Sequence, residues 1–428
     1  MKFYLEPLGC VKNQVDAENI IARLNSEGAE FSENPDEADL IIVNSCGFIE
    51  DAKKESINTV ISFRKDYPDK KIILSGCLAR RYEKELKLEL NETDAVFGSE
   101  KLDDITTLAF NLTGTTRTTP THEAAADRTK LFSLPGSAYI KIAEGCNNHC
   151  SFCAIPLIRG RLCSRSVDDI VNECRTLLKR DIIELCLVAQ DLASYGADTG
   201  ESLAALLRAI STLEGDFWVR LLYLHPDHFP LEILDIIAGD KRFLPYFDIP
   251  FQHASPTLLR AMNRRGGADE YLNLIEHIRT TLPDSVIRST FLTGFPGETD
   301  TDFNILLDFQ NAAMMDWLGV FIFSREDGVP AYTLKARPSK KTAGERKQTL
   351  EIRQTPITEK RIERFIGRRM RALVEEYVDD FYIARLFCQA PEVDGAAVIE
   401  SARDLPLGAF VEGEIIGRAG FDLRMRVT

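Results

Sequence analysis

Nowhere in the 428 residues does an apolar run reach the roughly 18 residues that a membrane-spanning helix needs. The first ten residues, MKFYLEPLGC, lack the basic start and apolar stretch of a secretory signal. With both absent, the expectation is a cytoplasmic protein with no membrane partner. Positive charge is also short. The 52 Lys and Arg against 66 Asp and Glu give a net charge of −14, which argues against a surface that grips nucleic acid throughout. The deficit is uneven: from Lys335 to Arg371, 13 Lys and Arg face 4 Glu, leaving −23 for the rest of the chain. An acidic body with one basic belt suits a basic protein partner at least as well as an RNA.

Cysteine is what the chain has in quantity, ten in all. A reducing compartment excludes a disulfide framework, so their positions carry the information. Those positions depend on how the chain is organised. Residues 1–112 alternate strand-like runs (KFYLEPL, LIIVN, KIILS) with helix-like runs (Val15–Glu27, Asp51–Tyr67, Ala79–Leu90), which predicts a small parallel α/β domain. A Thr/Ala-rich stretch follows and reads as a linker over 113–134. Over 135–365 six strand candidates alternate with helices: AYIKIA, IELCLVA, FWVRLLY, YFDI, VIRSTF and WLGVFIF. Six repeats are fewer than the eight of a closed α/β barrel, so a partial, open barrel is expected. Over 366–428 about five short strands separated by Gly, Pro or Asp predict a small β-barrel.

Two sets of three cysteines stand out against this layout. Cys146, Cys150 and Cys153 form CxxxCxxC just after the first strand of the central domain, where parallel sheets place active sites. Three thiolates on one loop leave one iron of a 4Fe–4S cube without a protein ligand. That suits a cluster that binds a small molecule, as an open position suits a catalytic zinc. A zinc site would want a fourth Cys or His, and His149 inside the loop is poorly placed to turn inward. Cys10, Cys46 and Cys77 are far apart in sequence, yet each follows a strand of the first domain. All strand ends of one sense share one edge of a parallel sheet, so these thiols should converge on a second cluster. Gly9, Gly47 and Gly76 beside them fit tight loops. Cys163, Cys174, Cys186 and Cys388 read as structural.

The string GCNNHCSFC, with Phe152 before its last cysteine, resembles the signature of the radical S-adenosylmethionine superfamily. The resemblance implies that S-adenosylmethionine chelates the open iron and is cleaved there to a 5′-deoxyadenosyl radical. Further strand ends carry Gln190, Asp191, Arg220, His225, Gln252, His253, Arg288, Gly294 and Gly297. These are expected in the pocket for S-adenosylmethionine and substrate, with Phe152, Gln190, Asp191, Arg220, Arg288, Gly294 and Gly297 assigned to the cofactor. Essentially the whole chain is similar to the methylthiotransferases, through LGCVKNQVDAE, VAQDLASYG, DIPFQHAS, STFLTGFPGET and FSREDGVPAY. Val11, Phe251 and Asp327–Gly328–Val329 depart from the usual pattern, and none is a candidate cluster ligand. The resemblance implies a C-terminal TRAM barrel, two 4Fe–4S clusters, and S-adenosylmethionine as both methyl donor and radical source. It also implies an external electron donor and sulfur source, and as substrate the twelfth small-subunit ribosomal protein, modified at the β-carbon of an aspartate. A tRNA methylthiotransferase is the alternative within the family, and a non-catalytic iron–sulfur sensor that binds RNA or ribosomes the alternative outside it.

Overall fold

The segment LIIVNS is apolar for four consecutive residues and is buried at all six positions, as expected of a strand covered on both faces. It is the central strand of the first compact unit in the computed structural model, which describes residues 1–98, 102–117, 128–401 and 403–427. This unit comprises Met1–Phe132 with Gly145–Asn147 and Ala154–Arg161. Its strands are β1 (Lys2–Pro7), β2 (Glu30–Phe31), β3 (Leu40–Ser45), β4 (Lys71–Ser75) and β5 (Ala95–Val96). They pair in the order β2-β1-β3-β4-β5, all parallel. Helices Val11–Ser26 and Leu102–Thr113 cover one face, packing Ile20, Leu24, Ile105 and Phe110 onto Phe3, Leu5 and Ile42. On the other face, Val60 of helix Glu50–Asp66 packs with Ile41, Val43 and Leu74.

One reading of this unit needs correction, and two short strands were not read. The stretch read as one helix from Ala79 to Leu90 is two, Gly76–Arg81 and Glu83–Glu89, because Tyr82 between them leaves helical geometry at φ −130° and ψ 32°. Strands β2 and β5 have two residues each, too short to carry an alternation. Of the Thr/Ala-rich stretch, 118–127 lies outside the described residues. Its described flanks are fastened: Arg117 pairs with Glu27, and the buried Arg128 pairs with the buried Glu18, which also accepts from the Phe132 N–H at 2.8 Å.

The second unit comprises Ser133–Glu144, Asn148–Cys153 and Leu162–Thr428. Its main sheet contains β6 (Ser137–Lys141), then, past the short pair β7 (Ala143–Glu144) and β8 (Cys163–Ser164), β9 (Glu184–Val188), β10 (Trp218–Leu221), β11 (Phe243–Asp248), β12 (Val286–Thr293) and β13 (Trp317–Ile322). The order β13-β12-β11-β10-β9-β6 is sequential and parallel, an open six-stranded α/β sheet of the expected partial-barrel kind. Strands β14 (Arg369–Val378), β15 (Phe381–Leu386), β16 (Ala397–Glu400), β17 (Phe410–Ala419) and β18 (Asp422–Val427) close into a small barrel. Among the described residues no helix is long and apolar enough to cross a membrane.

Buried charge joins the small barrel to the open sheet. Arg385 of β15 pairs with Glu184 of β9 and with Glu375, and Arg220 of β10 bonds Glu184 at 2.8 Å and the Phe387 carbonyl at 2.9 Å. Both tryptophans of the chain lie on the same seam. Trp218 packs on Phe410 at 4.6 Å between ring centres, while Trp317 donates to the Cys388 carbonyl at 2.8 Å. The basic belt is largely spent inside the unit. Helix Lys340–Glu363 presents Arg346 to Glu298 and Asp300, and Arg361 and Arg364 to Asp316; beyond it Arg368 pairs with Asp284 and Arg371 with Asp216.

Candidate active site

Cys10, Cys46 and Cys77 follow β1, β3 and β4, and backbone contacts between their loops show that they meet. A Cβ placed on Gly9 would lie 2.8 Å from Cys46 Cβ and 3.1 Å from its Sγ. One placed on Gly47 would lie 2.6 Å from Leu78 Cα and 2.9 Å from the Cys77 carbonyl carbon. Glycine at both positions is what lets the loop of Cys46 wedge between those of Cys10 and Cys77. Cys10 caps helix Val11–Ser26 and Cys77 lies in the first turn of Gly76–Arg81, ends at which helix dipoles favour thiolate. Burial raises the Cys46 thiol to about 11, against the Phe48 N–H, and the nearby sulfurs of Cys77 and Cys10 raise it further. Cys77 is also raised, chiefly by burial, with Arg159 opposing. Cys10 goes down: burial opposes, but the Lys12 charge and the Asn13 N–H outweigh it.

Asn13 braces this edge. Its Nδ2 donates to the carbonyls of Leu8 (2.5 Å), Asn44 (3.0 Å) and Ser45 (3.3 Å). Buried Ser56 holds Cys46 by accepting from its N–H and donating to its carbonyl, both at 3.0 Å. Among the described residues no three His, Cys, Asp or Glu side chains close to the span of a single metal ion. A cube of four irons takes its thiolates on separate irons, and an all-thiol donor set of Cys10, Cys46 and Cys77 fits the chemistry of such a cluster.

In the loop of the second set, Cys146 donates its N–H to Gly160 O at 3.2 Å. Farther on, residues 148–153 are held from several sides. Asn263 Nδ2 donates to His149 O at 2.7 Å, Ser151 N–H to Met262 O at 2.9 Å, and Ala331 N–H to Ser151 O at 2.8 Å. Asn148 Nδ2 donates to Asp191 at 2.8 Å. His225 Nδ1 accepts from the Asp227 N–H, which puts the proton on Nε2, 3.9 Å from Cys150 Sγ. Burial and the Arg264 charge hold His225 far below its ordinary pKa, as a neutral imidazole.

Comparison with known proteins bears on what such a pair of thiol sets does. Residues 2–98 match Uncharacterized protein family UPF0004, 140–309 the Radical SAM superfamily and 366–427 the TRAM domain. The chain is 45% identical, over 97% of its length and 98% of the relative's, to the ribosomal protein uS12 methylthiotransferase RimO of Treponema denticola. It is 41% identical, over 100% of its length and 98% of the relative's, to the protein of that name from Aquifex aeolicus. The chain belongs to the RimO family of radical SAM methylthiotransferases. Its fold is like that of the radical S-adenosylmethionine methyltransferase TsrM from Kitasatospora setae, solved with cobalamin and a [4Fe-4S] cluster, at a TM-score of 0.55 and 15% identity over 77% of this chain and 76% of that one.

In this methylthiotransferase the residues expected to line a cofactor pocket divide. Asp191 is buried beside the thiol loop. Burial would raise its pKa, but His228 at 2.6 Å and Ser194 hold the carboxyl low. Gln190 donates to Glu144 at 3.0 Å and keeps a buried Oε1 with no hydrogen-bond partner, the kind of orphan a polar ligand satisfies. Phe152 lies under the Arg264 guanidinium. Gly297, at φ +90°, has open space where a Cβ would stand, whereas Gly294 packs against Ala343 of helix Lys340–Glu363. Gln252 adopts φ +68° and Tyr223 φ +71° at neighbouring strand ends, strain of the kind that gathers at ligand sites. His253 is fully buried, and its Nε2 stands 3.7 Å from Glu298 Oε1, each atom without a hydrogen bond.

Arg220 requires correction. Its side chain is fully buried with the guanidinium committed to Glu184 and to the carbonyls of Leu386 and Phe387 at the end of β15, so its donors are spent on the seam. Arg288 is nearby and partly exposed, 3.3 Å from Asp248 and 3.4 Å from Asp394. Cys163, read as structural, is exposed on β8, whereas Cys174, Cys186 and Cys388 are buried. Sequence reasoning missed Asn13, Asn148, Arg159 and His228. A lone Asn, Arg or His outside a ligand-spacing pattern carries no signal of the contact it makes.

Proposed function

We propose that this chain attaches a methylthio group to the β-carbon of one aspartate in ribosomal protein uS12. On this reading Cys10, Cys46 and Cys77 hold one 4Fe–4S cluster, and Cys146, Cys150 and Cys153 the other. With S-adenosylmethionine, the bound clusters supply the sulfur site, the methyl group and the 5′-deoxyadenosyl radical. The observation that carries the reading is the double set of three thiols, each one short of filling a four-iron cube. It occurs in a chain that matches, end to end, relatives named for this reaction.

The protein's own part is positioning. Asp191 and Asn148 fix the conformation of the loop that carries Cys150 and Cys153. Gln190 and Phe152 offer an amide and a ring to the cofactor, and the open space at Gly297 leaves it room. No side chain acts as the base at the substrate carbon, because a protein base is far too weak to take a proton from an unactivated C–H bond. An electron donor and a sulfur source come from outside the chain. Charge favours the protein substrate over tRNA. Most arginines of the basic belt are neutralised by acids of the same unit, and the net charge is −14, suited to a Lys/Arg-rich partner.

Tandem mass spectrometry of uS12 from cells with and without this gene tests the assignment. One methylthio group on a single aspartate, present only with the gene, is the expected result. An unmodified aspartate in both strains, with a methylthio nucleoside lost from tRNA, would transfer the function to the nucleoside branch of the family.

A further inference from the structure

Arg159 has no part in the scheme above, yet it is among the most deeply buried charges of the first unit. It ends the short helix Ile155–Arg159, six residues after Cys153, and its side chain is 3% exposed. Nη1 pairs with Asp16 at 2.6 Å. Nη2 donates to Asn13 Oδ1 at 3.2 Å and to Cys77 Sγ at 3.1 Å. Burying a guanidinium costs several kcal/mol unless its charge and its donors are matched. Asp16 supplies a countercharge from a partly exposed position, so that pair by itself gives no reason for the depth. What lies at that depth is the Cys77 sulfur and the Asn13 amide that braces the loops of Cys10 and Cys46. Arginine never loses its proton in a protein, and its rigid fork can hold Asp16, Asn13 and Cys77 together.

We propose that Arg159 is a positioning and tuning residue for the N-terminal cluster: its guanidinium donates to the Cys77 thiolate and raises that cluster's reduction potential. The proposal rests on the reading that Cys10, Cys46 and Cys77 hold a cluster. Hydrogen bonds to cluster sulfurs and nearby positive charge stabilise the reduced form, which carries one more negative charge. Through Asn13 Oδ1, the same guanidinium also fixes the amide that donates to the Leu8, Asn44 and Ser45 carbonyls. The segment that follows the CxxxCxxC loop thus supplies the only guanidinium recorded on a sulfur of the other set among the described residues.

The test uses the full chain with Cys146, Cys150 and Cys153 replaced by alanine, so that all reconstituted iron belongs to the N-terminal site. Potentiometric titration followed by electron paramagnetic resonance gives the midpoint. Arg159→Gln is expected to lower the ratio of reduced to oxidised cluster at least tenfold at the parent's midpoint, a shift of about 59 mV for one electron. Asp16→Asn removes a negative charge and leaves the donor, so its potential should stay or rise. Arg159→Lys keeps the charge without the fork and should fall between. Failure of Arg159→Gln to bind iron, with its apo form melting like the parent, would also support the role. Unchanged potential at full iron content overturns it. So does an equal drop in melting temperature for Arg159→Gln and Asp16→Asn with no change in potential, which marks a purely structural ion pair. Absence of iron in the parent would instead defeat the cluster reading beneath the proposal.

Discussion

Single side chains decide how firmly the thiols are held, and Asp191 shows it best. Its carboxylate accepts from Asn148 Nδ2, the N–H groups of Ala193 and His225, Ser194 Oγ and His228 Nε2. With so many donors, its work is to fix the thiol loop, and a cofactor has little of it left to bind. Asp191→Asn replaces an acceptor oxygen by a donor facing donors. We expect reductive cleavage of S-adenosylmethionine to fall by about 10–100-fold, the usual effect of losing a group that orients metal ligands, as measured by 5′-deoxyadenosine release. Gly9→Ala probes the other set. Its Cβ would strike Cys46 at 2.8 Å, from a backbone at φ +92°. Iron should fall toward one cluster's worth in the reconstituted variant, with cleavage activity retained. The six cysteines were legible because thiols are rare and their spacing, or their place after a strand, recurs. Asn13 and Arg159 were not, since nothing in the spacing of a lone Asn or Arg tells what the fold turns it toward.

At the scale of elements, the parallel sheets make the layout readable and the barrel seam makes it stable. Alternating apolar and helical runs gave every long strand, but they carry no sign of which arginine is a ligand contact and which a weld. Arg220 was therefore placed in a pocket when it belongs to the seam. Tyr223 and Gln252 were illegible in a different way, because nothing in a side chain announces a positive φ. The seam titrates. Burial would raise Glu184, yet the charges of Arg385 and Arg220 hold it down to about 2, from an ordinary 4.5. A carboxyl depressed in the folded state contributes stability that is full above its unfolded value and lost as pH falls toward the folded one. The stability advantage of the native chain over Glu184→Gln should therefore be largest above about pH 5 and shrink between there and pH 2. Urea titrations of both proteins across that range measure it. Arg385→Ala, which leaves Glu184 with Arg220 alone and the buried Glu375 without its ion-pair partner, should cost about 3–5 kcal/mol by the same method.

For the molecule as a whole, the charge pattern read from the sequence survives in sum and changes in meaning. The belt from Lys335 to Arg371 is no free basic face, since its arginines hold the helix Lys340–Glu363 and the small barrel onto the open sheet. Attraction to a basic ribosomal protein then rests on the acidic remainder, and association should slow steeply as salt rises; stopped-flow rates at graded ionic strength would show it. Deleting 366–428 would leave Glu184 and Arg220 buried without Arg385 and uncover Trp218 and Trp317. The truncated chain is expected to aggregate, which light scattering of the purified protein would show. Those two rings also give the protein a built-in optical reporter. The chain has no other tryptophan, and both lie between the barrel and the sheet. Light absorbed and re-emitted by indole therefore describes that one junction. A shift of the emission to longer wavelength would announce the barrel lifting away, in real time and without any label, whichever partner or solvent had loosened it.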